Sequence, residues 1–365
     1  ISLLRGYAPD FRMQRPVLTS FAQDEEAISD VVSRLLSAKR PLFIVGGGAV
    51  KADIMPLLKR CDAAVFSTFA GRGLVPPTYP LYMGSFLSRP DSAAIIATAD
   101  LVIVLGSELA EVDLWRTHLG HKAIMVRVDI DPAVLNDAQK AEIRICMKVE
   151  DLVQSLLGRL NSGRANSSWT GSVIQQNKKE WTAQASANYP GILHAIWALK
   201  DAIPDNAMVY SDMTQFAYLA KEVWDMPKPS RWHHPYGFGT LGYALPAAIG
   251  GCIAQPNLPV FAIAGDYGFQ YTLAELGVAV ELGLSLPIVI WNNEKLKAVE
   301  DSMISSQILP NAVKARNPDF LAIARAYGAY AKRPNTRKEL KDNLAEAFCA
   351  GKPTLVCLCY DTVMF

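Results

Sequence analysis

The sequence is poor in several signatures, and each gap excludes something. Its six cysteines, at 61, 146, 252, 349, 357 and 359, form no CxxC pair and no Cys/His cluster, so the spacing encodes neither a zinc site nor a dithiol redox motif. They lie mostly in apolar stretches and read as buried thiols, which places the protein in a reducing, cytoplasmic compartment. Excess charge is also missing: 36 Lys and Arg against 35 Asp and Glu leave +1, which gives no electrostatic case for nucleic acid or a membrane surface as partner. No apolar run approaches the length that spans a bilayer, and the best, Leu101 to Leu105, is only strand-sized. No signal peptide is read before the first domain. The chain opens on Ile1 rather than Met, which leaves room for residues upstream.

What is present is a long, apolar, moderately charged chain. With 365 residues, half of them hydrophobic, it suffices for two packed domains. After an irregular lead-in over 1–20, an amphipathic helix is expected from Asp24 to Ala38, with Glu25, Glu26 and Asp30 near its start. Short apolar strands follow at Pro41 to Val45, Ala64 to Ser67, Leu101 to Leu105 and Ala123 to Val128. A polar stretch from Asn161 to Ser168 reads as a linker. A second alternation starts near Trp181, with strands at Met208 to Ser211, Val260 to Ala264, Pro287 to Trp291 and Thr354 to Cys359. The fold class is therefore α/β: two Rossmann-like three-layer domains with parallel sheets, over 1–165 and 180–365.

Chemistry concentrates in the second domain. The strand from Pro259 to Ala264 runs into Gly265-Asp266-Tyr267-Gly268, and Phe269 to Gly283 carries Leu273, Leu276, Val280 and Leu284 at helical spacing. The next strand ends in Asn292-Asn293. In a right-handed βαβ unit both strand ends face one sheet edge, so Asp266 and Asn293 arrive side by side. A carboxylate and a carboxamide are hard oxygen ligands suited to Mg²⁺, which fills its other positions with phosphate oxygens and water. Gly265 and Gly268 let the backbone approach, and a helix N-terminus favours phosphate. The alternative is a helix cap at Asp266 and a turn at Asn292-Asn293.

This segment resembles the cofactor motif of thiamine diphosphate enzymes, which runs from Gly-Asp-Gly to Asn-Asn. The resemblance implies thiamine diphosphate and Mg²⁺ as cofactors. Asp266 and Asn293 match the two side-chain metal ligands, and Lys295 matches the position that adds a main-chain carbonyl. Tyr267 stands where the second glycine is usual, and Leu296-Lys297 departs from the aromatic or Gly of many relatives. A second match covers Pro235 to Gly250. Leu241 occupies the place of the apolar wedge that bends the cofactor, the Gly239 carbonyl that of an acceptor for its amino group, and the Leu241 N–H that of a donor to the neighbouring ring nitrogen. The first domain resembles the family's central domain. Its Val45-Gly46-Gly47-Gly48 fails the dinucleotide pattern because Lys51 takes the third glycine's place, so a cofactor-free scaffold is expected. Glu108, Glu111 and Asp113 either face a cationic group or serve as caps.

The resemblance implies an enzyme that decarboxylates a 2-oxo acid through an ylide and an enamine, as in decarboxylases of 5-guanidino-2-oxopentanoate. The alternatives are an acetolactate synthase-like carboligase and a truncated or regulatory chain that binds cofactor without turnover. The family's N-terminal pyrimidine-binding domain, with its activating glutamate, is not recognised in this sequence. The family's active site forms between subunits, so the resemblance implies a homodimer or tetramer, or a partner chain supplying that domain. Acid–base candidates are His234, beside His233, and Glu300, the alternatives being a surface pair and a solvated helix face.

Overall fold

The computed structural model describes residues 24–160, 167–314 and 316–359. The lead-in over 1–20 and most of the Asn161 to Ser168 stretch lie outside the described residues. The first helix, Glu25–Ser37, begins where a capping residue sits. The Asp24 carboxylate accepts from Ala27 N at 2.9 Å, and Ile28, Val31 and Leu35 form its buried face.

The first sheet is fully parallel, in the order β2-β1-β3-β4-β5. Its strands are β1 (Pro41–Val45), β2 (Ala64–Ser67), β3 (Leu101–Leu105), β4 (Ile124–Asp129) and β5 (Ile143–Cys146). Every residue of β1, β2 and β3 is buried, as a sheet covered on both faces requires. The strand expected from Ala123 sits one residue later, and β5 was not anticipated. Beyond the undescribed stretch, Ser168 N donates to Lys39 O at 2.8 Å and Trp169 Nε1 to Pro41 O at 2.9 Å, so the chain is fastened to the start of β1. The helix Gly171–Ala187 follows. Its Trp181 ring is buried, 5.7 Å from both Phe66 and Phe86.

The second sheet is parallel in the order β10-β11-β9-β8-β6-β7. Its strands are β6 (Met208–Ser211), β7 (Trp232–His233), β8 (Val260–Gly265), β9 (Pro287–Asn292), β10 (Tyr330–Lys332) and β11 (Thr354–Cys359). After β6 the chain goes to β7 on one side and then to β8 on the other. The loops leaving the carboxyl ends of β6 and β8 therefore part, and a crevice opens between them. One expected helix is two. The turn after β8 is helical from the start, Asp266–Tyr271, and the chain breaks at Thr272 before Glu275–Glu281. Thr272 Oγ1 donates to Gly242 O at 3.0 Å, tying that break to the glycine loop after β7.

Candidate cofactor site

Four strand ends contribute to one cavity of about 220 Å³ in this crevice. Met213 and Thr214 follow β6, Gly239 and Leu241 follow β7, Gly265 to Gly268 follow β8, and Asn293 and Lys295 follow β9. Every residue expected to hold cofactor or metal, namely Gly239, Leu241, Gly265, Asp266, Tyr267, Gly268, Asn293 and Lys295, lines it. The β8–β9 register, Gly265 opposite Trp291, explains why Asp266 and the Asn292-Asn293 pair meet.

Asp266 is 3% exposed. Its Oδ1 accepts from Tyr267 N at 2.9 Å, and its Oδ2 accepts from Glu294 N and Asn317 Nδ2, each at 2.7 Å. Burial pushes its carboxyl above the usual range, and these hydrogen bonds pull it back in part. Asn317 also donates to Asn292 Oδ1 at 2.8 Å, so it bolts the ends of β8 and β9 together. Glu294, at φ 57, turns the chain so that its N–H meets Asp266.

A second carboxylate, Asp212 just past β6, is 1% exposed and held above its ordinary range by burial. It accepts from Gly242 N at 3.2 Å and Ala244 N at 2.9 Å, which anchors the glycine loop and starts the helix Ala244–Ala254. A Cβ on Gly268 would lie 2.2 Å from Asp212 Oδ2, and one on Gly265 would lie 3.3 Å from Thr214 Oγ1. The glycines are thus required for the β8 turn to close on β6. Sequence reasoning missed Asp212 and Asn317, because neither belongs to a recognisable spacing. The only local hint was a carboxylate directly after the β6 run, at Ser211-Asp212.

These residues fit a diphosphate held through a divalent ion. The site offers one carboxylate and one carboxamide as oxygen donors, with a backbone kept close by glycine. Among the described residues no three His, Cys, Asp or Glu side chains cluster as a metal site, so an ion here would draw on Asp266, Asn293, a main-chain carbonyl and ligand oxygens.

A larger cavity of about 680 Å³ adjoins the first and shares Met213, Tyr218, Gly239 and Ala298 with it. His234 lines this larger cavity, is 8% exposed, and places Nδ1 2.9 Å from Ser211 Oγ, which also accepts from Trp232 Nε1 at 2.8 Å. Burial, with Lys221 and Arg72 nearby, pushes its ring down to about 3. His234 is therefore neither a surface residue nor a cation at neutral pH. Glu300 does not lie on a solvated helix face. It is buried, yet it lines neither cavity. Its carboxylate lies among three ammonium groups, Lys295 at 3.5 Å, Lys314 at 3.8 Å and Lys297 at 4.0 Å. Its carboxylate therefore sits beside the Lys295 side chain. Of the acidic trio after β3, Glu108 and Glu111 are exposed, whereas Asp113 accepts from Phe69 N at 2.9 Å and faces Lys221.

Two family models match the chain: the thiamine pyrophosphate enzyme central domain over residues 28–156, and the C-terminal TPP binding domain of the same enzymes over residues 212–358. The chain belongs to the thiamine pyrophosphate enzymes. Over 337 residues it is 37% identical to a probable 2-ketoarginine decarboxylase of Pseudomonas aeruginosa, an alignment covering 91% of this chain and 60% of that protein. It is 27% identical over 347 residues to the acetolactate synthase isozyme 1 large subunit of Escherichia coli, covering 92% and 61%. The acetolactate synthase large subunit of Cyanidium caldarium is likewise 27% identical, covering 88% and 58%. The chain spans about 60% of the length of the curated relatives it matches. The thiamine pyrophosphate domain assignment coincides with the cavity, whose lining falls inside the C-terminal match. No described helix is long and apolar enough to cross a membrane.

Proposed function

We propose that this chain works in the thiamine diphosphate- and Mg²⁺-dependent decarboxylation of a 2-oxo acid, with 5-guanidino-2-oxopentanoate the first substrate to test. The observation that carries this reading is the convergence of Asp266, Asn293 and Lys295 with Gly239 and Leu241 on one cavity between β6 and β8. Asp266, Asn293 and the Lys295 carbonyl would hold the ion, with Asn317 and Glu294 N fixing the direction of the carboxylate. Bound thiamine diphosphate supplies an electron sink for the carbon that loses CO₂. Leu241 contributes shape, and Gly239, at φ 60, bends the loop so that its carbonyl can accept from the cofactor ring. Asp212 keeps that loop in place through Gly242 N and Ala244 N. His234, uncharged at neutral pH, is suited to hydrogen bonding with the reacting acid rather than to delivering a proton from a cationic ring. Glu300 holds the Lys295 side chain and so acts as a positioning residue.

The 27% identity to acetolactate synthase large subunits supports carboligation as a second reading. Measuring CO₂ release and acetolactate from pyruvate and from 5-guanidino-2-oxopentanoate separates the two. Cofactor binding without CO₂ release from any 2-oxo acid would instead favour the regulatory alternative. A homo-oligomer, or a partner chain that supplies a pyrimidine-binding domain, is part of the proposal. So is the cytoplasm as compartment, which six free cysteines fit.

A further inference from the structure

The charged wall of the larger cavity has no part in the chemistry proposed above. Glu222, on the helix Gln215–Val223, lines this cavity and is 5% exposed. Its Oε1 receives Arg89 Nη2 at 2.5 Å, while its Oε2 has no hydrogen-bond partner. An unmatched buried carboxylate oxygen is costly, on the order of 1–3 kcal/mol, and such an atom at a cavity wall calls for a donor from outside. Ser88 Oγ and Arg89 Nε, on the facing loop of the first domain, also lack partners.

The other cation on the wall is already engaged. Lys221 Nζ lies 4.1 Å from the centre of the Phe69 ring, with Glu222 and Asp113 as its opposing charges. Arg72, behind it, donates to Phe69 O and Tyr236 OH and lies over the Trp232 ring. Aromatic side chains, Trp115, Tyr189, Tyr218, Tyr236 and Phe238, make up much of the remaining surface. Aromatic faces beside a carboxylate oxygen without a hydrogen-bond partner suit a flat, delocalised cation rich in N–H donors.

The geometry points to this cavity as the seat of a substrate side chain ending in a guanidinium-type group, with Glu222 Oε2 as its anchor. The four residues shared with the cofactor cavity put that tail within reach of a carbonyl placed at the cofactor. This inference rests on the decarboxylase reading for the identity of the reacting end, but not for the tail.

The test reads binding without turnover. The full chain, loaded with thiamine diphosphate and Mg²⁺, is titrated calorimetrically with 5-guanidinopentanoate, pentanoate and adipate, which have no 2-oxo group. The guanidino acid should bind at least roughly tenfold tighter than pentanoate, and Glu222→Gln should cut that ratio roughly 10- to 100-fold, as loss of one charge-assisted hydrogen bond implies. Glu222→Asp, which keeps the charge but retracts it, should retain part of the preference and serves if the amide variant does not fold. An unchanged ratio in the variants, no binding of the guanidino acid, or tightest binding of adipate (a tail captured by Lys221 or Arg89) overturns the assignment. Guanidino-selective binding through Glu222 with no CO₂ released from any 2-oxo acid would overturn the decarboxylase reading and leave the pocket assignment standing.

Discussion

Replacing Asp266 by asparagine exchanges one oxygen for NH₂ at a side chain that receives three donors. With its oxygen toward Glu294 N and Asn317 Nδ2, the amide presents NH₂ to Tyr267 N–H, leaving one donor unmatched at about 1–3 kcal/mol. Against this, the variant no longer buries a charge that burial disfavours. The two effects oppose each other, so the stability of the cofactor-free chain should change by no more than about 2 kcal/mol. Ligand-linked stability should behave differently, because asparagine removes the only carboxylate among the proposed metal ligands. At a hundredfold excess over Kd, cofactor with Mg²⁺ stabilises the native chain by about 2.7 kcal/mol, a rise of several degrees in Tm. Thermal denaturation with thiamine diphosphate, with and without Mg²⁺, reads this directly. Wild type should show a metal-dependent rise, and Asp266→Asn should melt at its own unliganded temperature whatever is added. A variant that kept the full Mg²⁺-dependent rise would refute the ligand assignment, and the reading of this crevice would go with it.

Three further outcomes follow from the same geometry. Between about 3 and the ordinary value of 6.5 the unfolded chain binds a proton at residue 234 that the folded chain refuses, so stability should rise with pH across that window; in His234→Gln that slope should flatten in pH-dependent denaturant titrations, and an unchanged slope would contradict burial of a neutral ring. Gly268→Ala should lower the denaturation midpoint, since its Cβ would lie 2.2 Å from Asp212 Oδ2, whereas Gly250→Ala, in a helix and with nothing within 4 Å, should raise stability by roughly 0.5–1 kcal/mol; equal effects would contradict the close approach of β6 and β8. Asp212→Ala strands two amide donors, Gly242 N and Ala244 N, and should destabilise by about 2 kcal/mol while weakening cofactor binding, which urea titration and calorimetry would check; intact binding would mean that the glycine loop holds its shape without the clamp.

The central strands of both sheets were legible because they are continuous apolar runs, and a parallel sheet covered on both faces demands such runs. β5, β7 and β10 escaped for the converse reason. Ile143-Arg144-Ile145-Cys146 alternates at a sheet edge, Trp232–His233 is two residues long, and Tyr330–Lys332 is an edge strand with an exposed tyrosine. The meeting of Asp266 and Asn293 at one cavity could be read in advance because topology alone brings consecutive parallel strand ends to one edge. Asn317 could not, since it reaches Asp266 across 51 positions through a loop without periodicity. The surroundings of Glu300 were not legible, because a helix start after a strand gives no sign of them. Lys295, Lys297 and Lys314 converge on it only in three dimensions.

The two sheets put their glycines to different uses. In the first domain the switch point lies between β1 and β3, where a Rossmann-like sheet would take a nucleotide. There Gly46 N donates to Leu105 O and Gly48 N to Gly106 O, each at 2.9 Å, so these two amides are already engaged. A Cβ on Gly46 would lie 2.2 Å from Gly106 O, so the glycines bring the two loops into backbone contact and close the crevice. In the second domain Gly265 and Gly268 bring β8 against β6 through side chains, Thr214 and Asp212, leaving a cavity beside the turn. At the switch point the neighbouring loop presents its own backbone in the first domain, at Gly106, and side chains in the second, at Thr214 and Asp212.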